Sequence, residues 1–159
     1  MLTSRSNYLL TKSDWTKVRK QIEKSPETFF ADMAVSEIYF FDADSQTWIR
    51  KSSLAESWDG ITALGMHVDV EKPKDYLPWN ETFTDKDAPF YRWYTGGLTN
   101  ACFNEVDAHV ANGHGNETAF HFEGDRWDPS LNENKGGPVF SKSVSRKSLL
   151  LEVAKAAIV

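Results

Sequence analysis

The 159-residue chain lacks the features that mark several large classes of protein. It has a single cysteine, Cys102, which excludes an internal disulfide framework and fits a reducing compartment. No stretch approaches the roughly 18 consecutive apolar residues that a membrane span needs, and the amino terminus lacks the apolar core of a signal peptide. We therefore expect a soluble, cytoplasmic protein that does not bind a membrane.

Positive charge is neither abundant nor widely clustered. Eighteen basic residues stand against 23 acidic residues, and the net charge is −5. The one basic cluster, Lys142, Arg146 and Lys147, is typical of a solvated edge at the start of a helix. Because nucleic-acid phosphates are bound by a clustered basic surface, we expect no nucleic-acid partner.

Motifs for catalysis and metal binding are also scarce. His109, His114 and His121 are the candidate metal ligands, but no two have the i, i+4 spacing of a helical zinc site. Hydrogen bonding on a helix face is the expected role of His109, while His121 alternates with Phe120 and Phe122 on a strand. No glycine cluster is followed by the Lys-Ser/Thr of a phosphate loop, and no Gly-x-Ser-x-Gly motif occurs. We expect no catalytic, cofactor-binding or metal-binding residue in this chain.

Short helices and a hairpin are predicted in the first third of the chain. Ser13 is the expected N-cap of an amphipathic helix that ends near Lys24. A second helix is predicted in SPETFFADMA, where a serine precedes a proline and a glutamate. Aromatic and β-branched residues around a polar turn then predict that residues 38–41 pair with residues 47–49. The predicted buried faces are Trp15, Val18 and Ile22 in the first helix, and Phe29, Phe30, Met33 and Ala34 in the second.

Residues 72–95 have little periodicity but are rich in aromatic residues and proline. Each aromatic side chain can bury roughly 150–250 Å² without regular structure beneath it. A segment of this length without helices or strands is uncommon inside a compact domain. We therefore predict an extended arm packed along a body that this chain does not contain. A sugar-binding or peptide-binding aromatic platform is the alternative.

The region that follows predicts a helix and a hairpin. Thr99 or Asn100 is the expected cap of a helix that stops at Gly113. Residues 118–122 form the predicted strand, the Glu123-Gly124-Asp125 triplet forms the turn, and residues 139–140 form a short return strand. The predicted buried face of the helix consists of Cys102, Phe103, Val106 and Val110.

The closing stretch SVSRKSLLLEVAKAAIV predicts a helix with a start signal and no end signal. Ser145 is the expected N-cap, and no C-terminal glycine, asparagine or proline follows the apolar stripe. We expect a chain interrupted inside a longer fold; a natural chain that ends in a docked helix is the alternative. The stripe consists of Leu149, Leu150, Val153, Ala154, Ala157 and Ile158.

Three segments occur in an order that carries a family resemblance: RWYTGGLTNACFNEVDAHV, GNETAFHFEGD and VSRKSLLLEVAKAA. Together they resemble the opening of the AMP-forming acetyl-CoA/propionyl-CoA synthetase family of adenylating enzymes, and SPETFFADMA is similar to an upstream helix of that family. The stretch from Val106 to His109 departs from the family's usual Leu-Asp-Arg-His, and the stretch from Ile38 to Tyr76 is longer than in the acetate enzymes. The acyl substrate therefore stays open: a longer-chain or substituted-acid ligase, or the ligase part of a fused propionyl-CoA synthase, is an alternative. The matching positions are Trp93, Tyr94, Gly97, Leu98, Asn100, Asn104, Asp107, His109, Glu123, Gly124 and Asp125.

The resemblance implies an α+β fragment with short helices, an aromatic-rich extended arm and a small β-hairpin, opening the large α/β adenylating domain of an acyl-CoA ligase. Residues 1–95 would be an N-terminal extension that wraps this domain, and residues 96–159 would begin the domain and stop in its first long helix. The implied partners are the large and C-terminal domains of the same ligase chain.

Enzymes of this family convert a carboxylic acid, ATP and CoA into acyl-CoA, AMP and pyrophosphate with Mg²⁺. Their phosphate loop, nucleotide-binding acid and adenylation lysine lie downstream of the segments that match. The resemblance therefore implies that this chain is noncatalytic and binds no cofactor itself. The alternatives are a free-standing aromatic-rich module that binds a peptide or a carbohydrate, and a small enzyme that uses histidine or carboxylates.

Overall fold

The computed structural model describes residues 11–52 and 57–157, and it confirms a mixed architecture of helices and sheets. The chain divides into two compact units, Met1–Asn100 and Ala101–Val159. The predicted stripe residue Ile158 lies outside the described residues.

The first helix, α1 (Lys12–Lys24), begins two residues earlier than predicted. Its N-cap is Thr11 rather than Ser13, because Thr11 and Asp14 form a reciprocal capping box. The Asp14 N–H donates to Thr11 Oγ1 at 3.2 Å, and the Thr11 N–H donates to the Asp14 carboxylate at 3.1 Å. The predicted end at Lys24 is confirmed.

The second helix, α2 (Pro26–Glu37), begins at the predicted serine-proline step, with the proline at the first helical position. Ala34 is buried as predicted, and Val35 is buried beside it. Met33 is exposed, so its predicted burial is wrong. In α1 no residue is fully buried: Val18 and Ile22 are half-buried, and Trp15 is exposed, so its predicted burial is wrong.

Four described strands form an antiparallel sheet in sequence order. The predicted hairpin is confirmed, with Phe40 opposite Ile49. The third and fourth strands were not predicted, because they are short and one contains Gly60. A Cβ atom on Gly60 would lie 2.8 Å from Val70 Cγ2, so only glycine fits this approach without a shift. The strands are β1 (Phe40–Asp42), β2 (Thr47–Lys51), β3 (Trp58–Ile61) and β4 (His67–Val70).

The predicted arm contains a hairpin, so the prediction of a segment without regular structure is wrong. β5 (Glu81–Thr84) pairs antiparallel with β6 (Arg92–Thr95), and Phe83 lies opposite Trp93. Part of the arm also packs within its own unit: Tyr76 lies against the core of the first unit. The arm therefore packs at least in part on its own unit, and its predicted contact with a body outside the chain stays a prediction.

Aromatic side chains close the core of the first unit. The ring centres of Phe40 and Trp79 lie 5.1 Å apart, and those of Trp79 and Tyr94 lie 4.8 Å apart. Trp79 Nε1 donates to Thr82 Oγ1 at 2.9 Å, and the Tyr94 hydroxyl donates to the Phe30 carbonyl at 3.0 Å. The buried cluster consists of Ala34, Val35, Phe40, Ile49, Trp58 and Trp79.

The second unit begins with a helical segment that is wider than an α-helix. Two π-helical turns, Phe103–Asp107 and Val110–His114, interrupt it. The Ala108 N–H donates to the Phe103 carbonyl, five residues earlier. Gly113 has a left-handed conformation with φ of 86°, which matches the predicted helix stop.

Burial in this helical segment agrees with prediction at two positions and disagrees at a third. Phe103 and Val106 are buried, as predicted, together with Ala108. Cys102 is exposed, so its predicted burial is wrong. Partial desolvation and the nearby Asp107 carboxylate raise the pKa of the Cys102 thiol.

A two-stranded ribbon follows, formed by β7 (Thr118–Glu123) and β10 (Ser141–Ser145). The predicted first strand is confirmed, but the return strand starts two residues later than expected. The ribbon continues past its regular pairing, because the Gly124 N–H donates to the Phe140 carbonyl at 2.8 Å. Between the two ribbon strands in the chain lie β8 (Trp127–Asp128), the short turn α3 (Leu131–Asn134) and β9 (Gly137–Pro138). In α3, Asn132 and Glu133 have left-handed conformations with φ of 51° and 56°.

The last described helix, α4 (Arg146–Ala157), begins where predicted. The Ser148 N–H donates to Ser145 Oγ at 3.2 Å, which confirms the N-cap. Within α4 no residue of the predicted stripe is fully buried. Across residues 11–52 and 57–157, no helix combines the length and the apolar character needed to cross a bilayer.

We predict that Trp79→Ala lowers the free energy of unfolding by about 3–5 kcal/mol, because it removes the ring that joins Phe40 to Tyr94. Urea denaturation followed by circular dichroism measures this change. The matched control is Trp15→Ala in α1, where the ring is exposed and the expected change is below about 1 kcal/mol. Equal losses in the two variants would contradict the packing role of Trp79.

Candidate functional site

A buried ion pair links the β1–β2 turn to the segment after β4. Lys72 Nζ lies 2.6 Å from Asp42 Oδ1, and the two side chains are 9% and 2% exposed. Lys72 Nζ also lies 3.4 Å from Asp44 Oδ2 and 4.8 Å from the centre of the Tyr76 ring. We call Asp42, Ser45, Lys72 and Tyr76 the Asp42 cluster.

Two members of this cluster, Asp42 and Ser45, belong to the same turn and are close in sequence. Asp42 precedes Ser45 by three residues, the spacing at which an aspartate side chain accepts hydrogen bonds from its own turn. The Ser45 N–H donates to Asp42 Oδ2 at 2.9 Å, and the Ser45 hydroxyl donates to the same oxygen. The Tyr76 hydroxyl donates to Asp42 Oδ1 at 3.1 Å. Both carboxylate oxygens therefore have partners.

The protonation states of the cluster follow from these contacts. Burial by itself would raise the pKa of Asp42, but hydrogen bonds from Lys72, Ser45 and Tyr76 outweigh it and lower the pKa to about 2. Burial disfavours the Lys72 ammonium, yet its hydrogen bond to Asp42 raises the pKa of Lys72. Burial and the hydrogen bond to Asp42 raise the pKa of Tyr76.

These directions decide what the cluster can do chemically. A general acid or base needs a pKa near the working pH, whereas Asp42 stays ionised and Lys72 stays protonated across the neutral range. The cluster therefore holds charge in place and does not exchange protons near neutral pH. Its role in this geometry is to fix the turn and the start of the arm.

An open depression of about 460 Å³ lies beside Lys72. Its lining includes the acidic residues Asp44, Asp69 and Glu71 and the apolar residues Val68 and Val70. Within the described part of the chain, no three His, Cys, Asp or Glu side chains are grouped so that they could hold a metal ion. The other residues that line the depression are Ser45, Thr47, Thr62 and Lys72.

The candidate histidines occupy two places in the second unit. The ring centres of His109 and His114 lie 6.5 Å apart, and His114 Nδ1 lies 2.6 Å from Glu117 Oε1. The hydrogen bond from His114 lowers the pKa of Glu117. His121 lies on the ribbon instead, where its Nδ1 is 2.8 Å from Ser143 Oγ. The structure therefore brings His109 and His114 near each other and puts His121 on the ribbon.

Three family-matching positions of the first unit, Tyr94, Gly97 and Leu98, contact its core or extend its sheet. Tyr94 has a positive φ of 52° and packs against Trp79. A Cβ atom on Gly97 would lie 3.1 Å from the Tyr94 carbonyl and 3.3 Å from Phe40 Cε1, so glycine suits this close approach. The Leu98 carbonyl accepts the Phe41 N–H at 2.8 Å and extends the pairing of β1.

The family-matching positions of the second unit lie in two parts of it. Asn104 and Asp107 belong to the first π-helical turn, and His109 precedes the second. Glu123 ends β7, and Gly124 begins the bend that leads to β8. Asp125 follows in this bend and is exposed.

Sequence reasoning did not identify the Asp42 cluster. The signal was only partial: the aspartate and serine spacing marked the turn, but Lys72 and Tyr76 lie 30 and 34 residues further along the chain. Nothing in a single sequence pairs a turn aspartate with one lysine among many.

Comparison with known proteins shows which proteins parts of this chain are similar to. The chain is 38% identical over 86 residues to an acetyl-coenzyme A synthetase of Rhodopirellula baltica, a match that covers 52% of this chain and 12% of the relative. It is 44% identical over 59 residues to an acetyl-coenzyme A synthetase of Mycolicibacterium smegmatis, covering 35% of this chain and 6% of the relative. No protein-family model matches the chain.

A human relative extends the same pattern. The chain is 40% identical over 48 residues to acyl-CoA synthetase short-chain family member 3, mitochondrial, of Homo sapiens, covering 30% of this chain and 7% of the relative. These matches confirm the resemblance to the AMP-forming acetyl-CoA/propionyl-CoA synthetase family: the chain contains segments similar to parts of acetyl-CoA and short-chain acyl-CoA synthetases. The matched segments make up only 6% to 12% of these relatives' own length.

We predict that Lys72→Met lowers the free energy of unfolding at neutral pH by about 3–5 kcal/mol, because it leaves the Asp42 carboxylate buried without its cation. Urea denaturation measures the change. Lys86→Met is the matched control: Lys86 pairs with Glu81 at 3.2 Å on the surface, and the expected loss is below about 1 kcal/mol. A loss of that small size in Lys72→Met would contradict the buried pair.

The Asp42 pKa also predicts an acid dependence of stability. The folded pKa of about 2 lies below the ordinary aspartate value of 3.8, so the stabilisation is fully present above pH 3.8 and is lost as the pH falls towards 2. The contribution is about 2.5 kcal/mol, since one pKa unit corresponds to about 1.4 kcal/mol. Urea denaturation over this pH range measures it, and the Asp42→Asn variant should lack this component. An unchanged acid dependence in that variant would contradict the assignment.

Proposed function

We propose that this chain is the N-terminal, noncatalytic segment of an AMP-forming acyl-CoA synthetase. The full enzyme would join a small carboxylic acid to CoA with ATP, forming acyl-CoA, AMP and pyrophosphate. The observation that carries this proposal is the repeated identity of 36% to 44% with acetyl-CoA synthetases over segments that are only 6% to 12% of their length.

The chemistry of the chain supports a noncatalytic role. Its glycine clusters lack the lysine and hydroxyl residue of a phosphate loop. Asp42 and Lys72 are held in fixed charge states, and the described residues hold no group suited to a metal ion. In this proposal ATP, Mg²⁺ and CoA are bound elsewhere in the full enzyme.

The proposed arrangement assigns residues 1–95 to an extension and residues 96–159 to the opening of the large adenylating domain. The break between compact units at Asn100 and Ala101 supports a boundary in this region. In this proposal the partners of the chain are the large and C-terminal domains of the same ligase. Fusion to further enzymes, as in a propionyl-CoA synthase, stays a prediction.

One observation favours a second candidate, an aromatic-rich binding module. Phe90 and Tyr91 are exposed on the loop of the β5–β6 hairpin. The Tyr91 ring stacks on the Phe83 ring, with 5.9 Å between centres and 23° between planes. Exposed stacked rings of this kind can bind the apolar face of a sugar or a peptide side chain.

A chimera separates the two candidates. In the Rhodopirellula baltica acetyl-CoA synthetase, the segment homologous to this chain is replaced by the 159 residues. We expect acetate-dependent AMP formation within about tenfold of the parent enzyme, because the replaced part contributes structure and not reacting groups. The isolated chain should show no acetate-dependent exchange of pyrophosphate into ATP.

Two outcomes would contradict the synthetase proposal. One is pyrophosphate exchange catalysed by the isolated chain. The other is a chimera that is folded and monodisperse but inactive. Saturable binding of an oligosaccharide or peptide by the isolated chain, abolished by Tyr91→Ala, would then favour the binding module.

A further inference from the structure

The ribbon formed by β7 and β10 has two chemically different faces. Phe120 lies opposite Val144 and Phe122 opposite Lys142, so these four side chains share one face. Phe140 continues this face, since its ring meets the Phe122 ring edge-on with centres 5.8 Å apart. We call Phe120, Phe122, Phe140 and Val144 the ribbon's apolar face.

The opposite face of the ribbon is polar. His121 and Ser143 lie across from each other on it, 2.8 Å apart between Nδ1 and Oγ. Glu123 and Ser141 form the next pair on that face. Such alternation is the pattern of a sheet that buries one face and leaves the other in water.

The three rings of the apolar face are about half exposed. Phe120, Phe122 and Phe140 are 44%, 50% and 55% exposed. Two paired strands are at best marginally stable in water without a layer on their apolar side. Clustered exposed rings of this kind mark a contact surface rather than a scatter of single apolar residues.

We propose that the ribbon's apolar face docks onto the remaining polypeptide of the synthetase, within its large domain. This inference rests on the proposed function. The length of the relatives supports this occupant: a match over 86 residues is only 12% of the Rhodopirellula baltica enzyme, so most of that enzyme's sequence lies outside the matched segment and can supply the covering layer. A second copy of this chain is the competing occupant.

Thiol labelling in the active chimera tests the docking. Cysteine is introduced as Phe122→Cys on the apolar face or as His121→Cys on the polar face, and mass spectrometry reads the labelling rate at each site. We expect Phe122→Cys to be labelled at least about tenfold more slowly in the chimera than in the isolated chain, because docking excludes the reagent. The His121→Cys rates should agree within about twofold.

A second measurement needs no substitution. Hydroxyl-radical footprinting of the unsubstituted chimera should show less oxidation of Phe122 and Phe140 than in the isolated chain. Because the footprinted chimera keeps Phe122, this measurement tests docking even if the Phe122→Cys substitution weakens it. Equal labelling and equal oxidation in an active chimera would overturn the docking while leaving the proposed function in place.

The remaining outcomes are equally decisive. Protection of Phe122→Cys in the isolated chain that increases with protein concentration would overturn the inference in favour of a second copy. A folded chimera without ligase activity would contradict the proposed function itself, whatever the labelling rates.

Discussion

The buried carboxylate of Asp42 is the constraint on which the first unit depends. A buried charge is tolerated only when hydrogen bonds and an opposite charge replace its water. Asp42 obtains these from Ser45 in its own turn and from Lys72 and Tyr76 beyond β4. The contacts of this one carboxylate therefore bring together the β1–β2 hairpin and the start of the arm, which follows β4.

The aromatic core extends from this point. The Tyr76 ring meets the Trp58 ring edge-on, with centres 5.4 Å apart, and so joins the polar cluster to the buried face of the sheet. Trp79 follows three residues later and packs between Phe40 and Tyr94. The arm, residues 72–95, lacks periodicity in sequence and is held in place by Tyr76, Trp79 and Tyr94. Each of these rings packs against the core, and each polar atom has a hydrogen-bond partner.

The sequence predicted those features that local rules determine. The proline at the start of α2, the β1–β2 hairpin, the stop at Gly113 and the Ser145 cap each depend on a few neighbouring residues. The strands β3 to β6 pair with near neighbours in sequence, but each has only four residues, which is too short to leave a clear periodic trace. The Asp42 cluster escaped prediction for a different reason, because Lys72 and Tyr76 lie 30 and 34 residues after Asp42 and meet it only in the folded unit.

The two units differ in how far they bury their own apolar residues. The first unit covers its sheet with α2 and with its own aromatic segment, so its buried cluster closes within the chain. The second unit has a ribbon with a polar face and an apolar face, and its rings on the apolar face remain exposed. The proposed function accounts for this contrast. In that proposal the first unit is an extension with its own core, and the second unit opens a larger domain whose remaining sequence would supply the layer over the exposed rings.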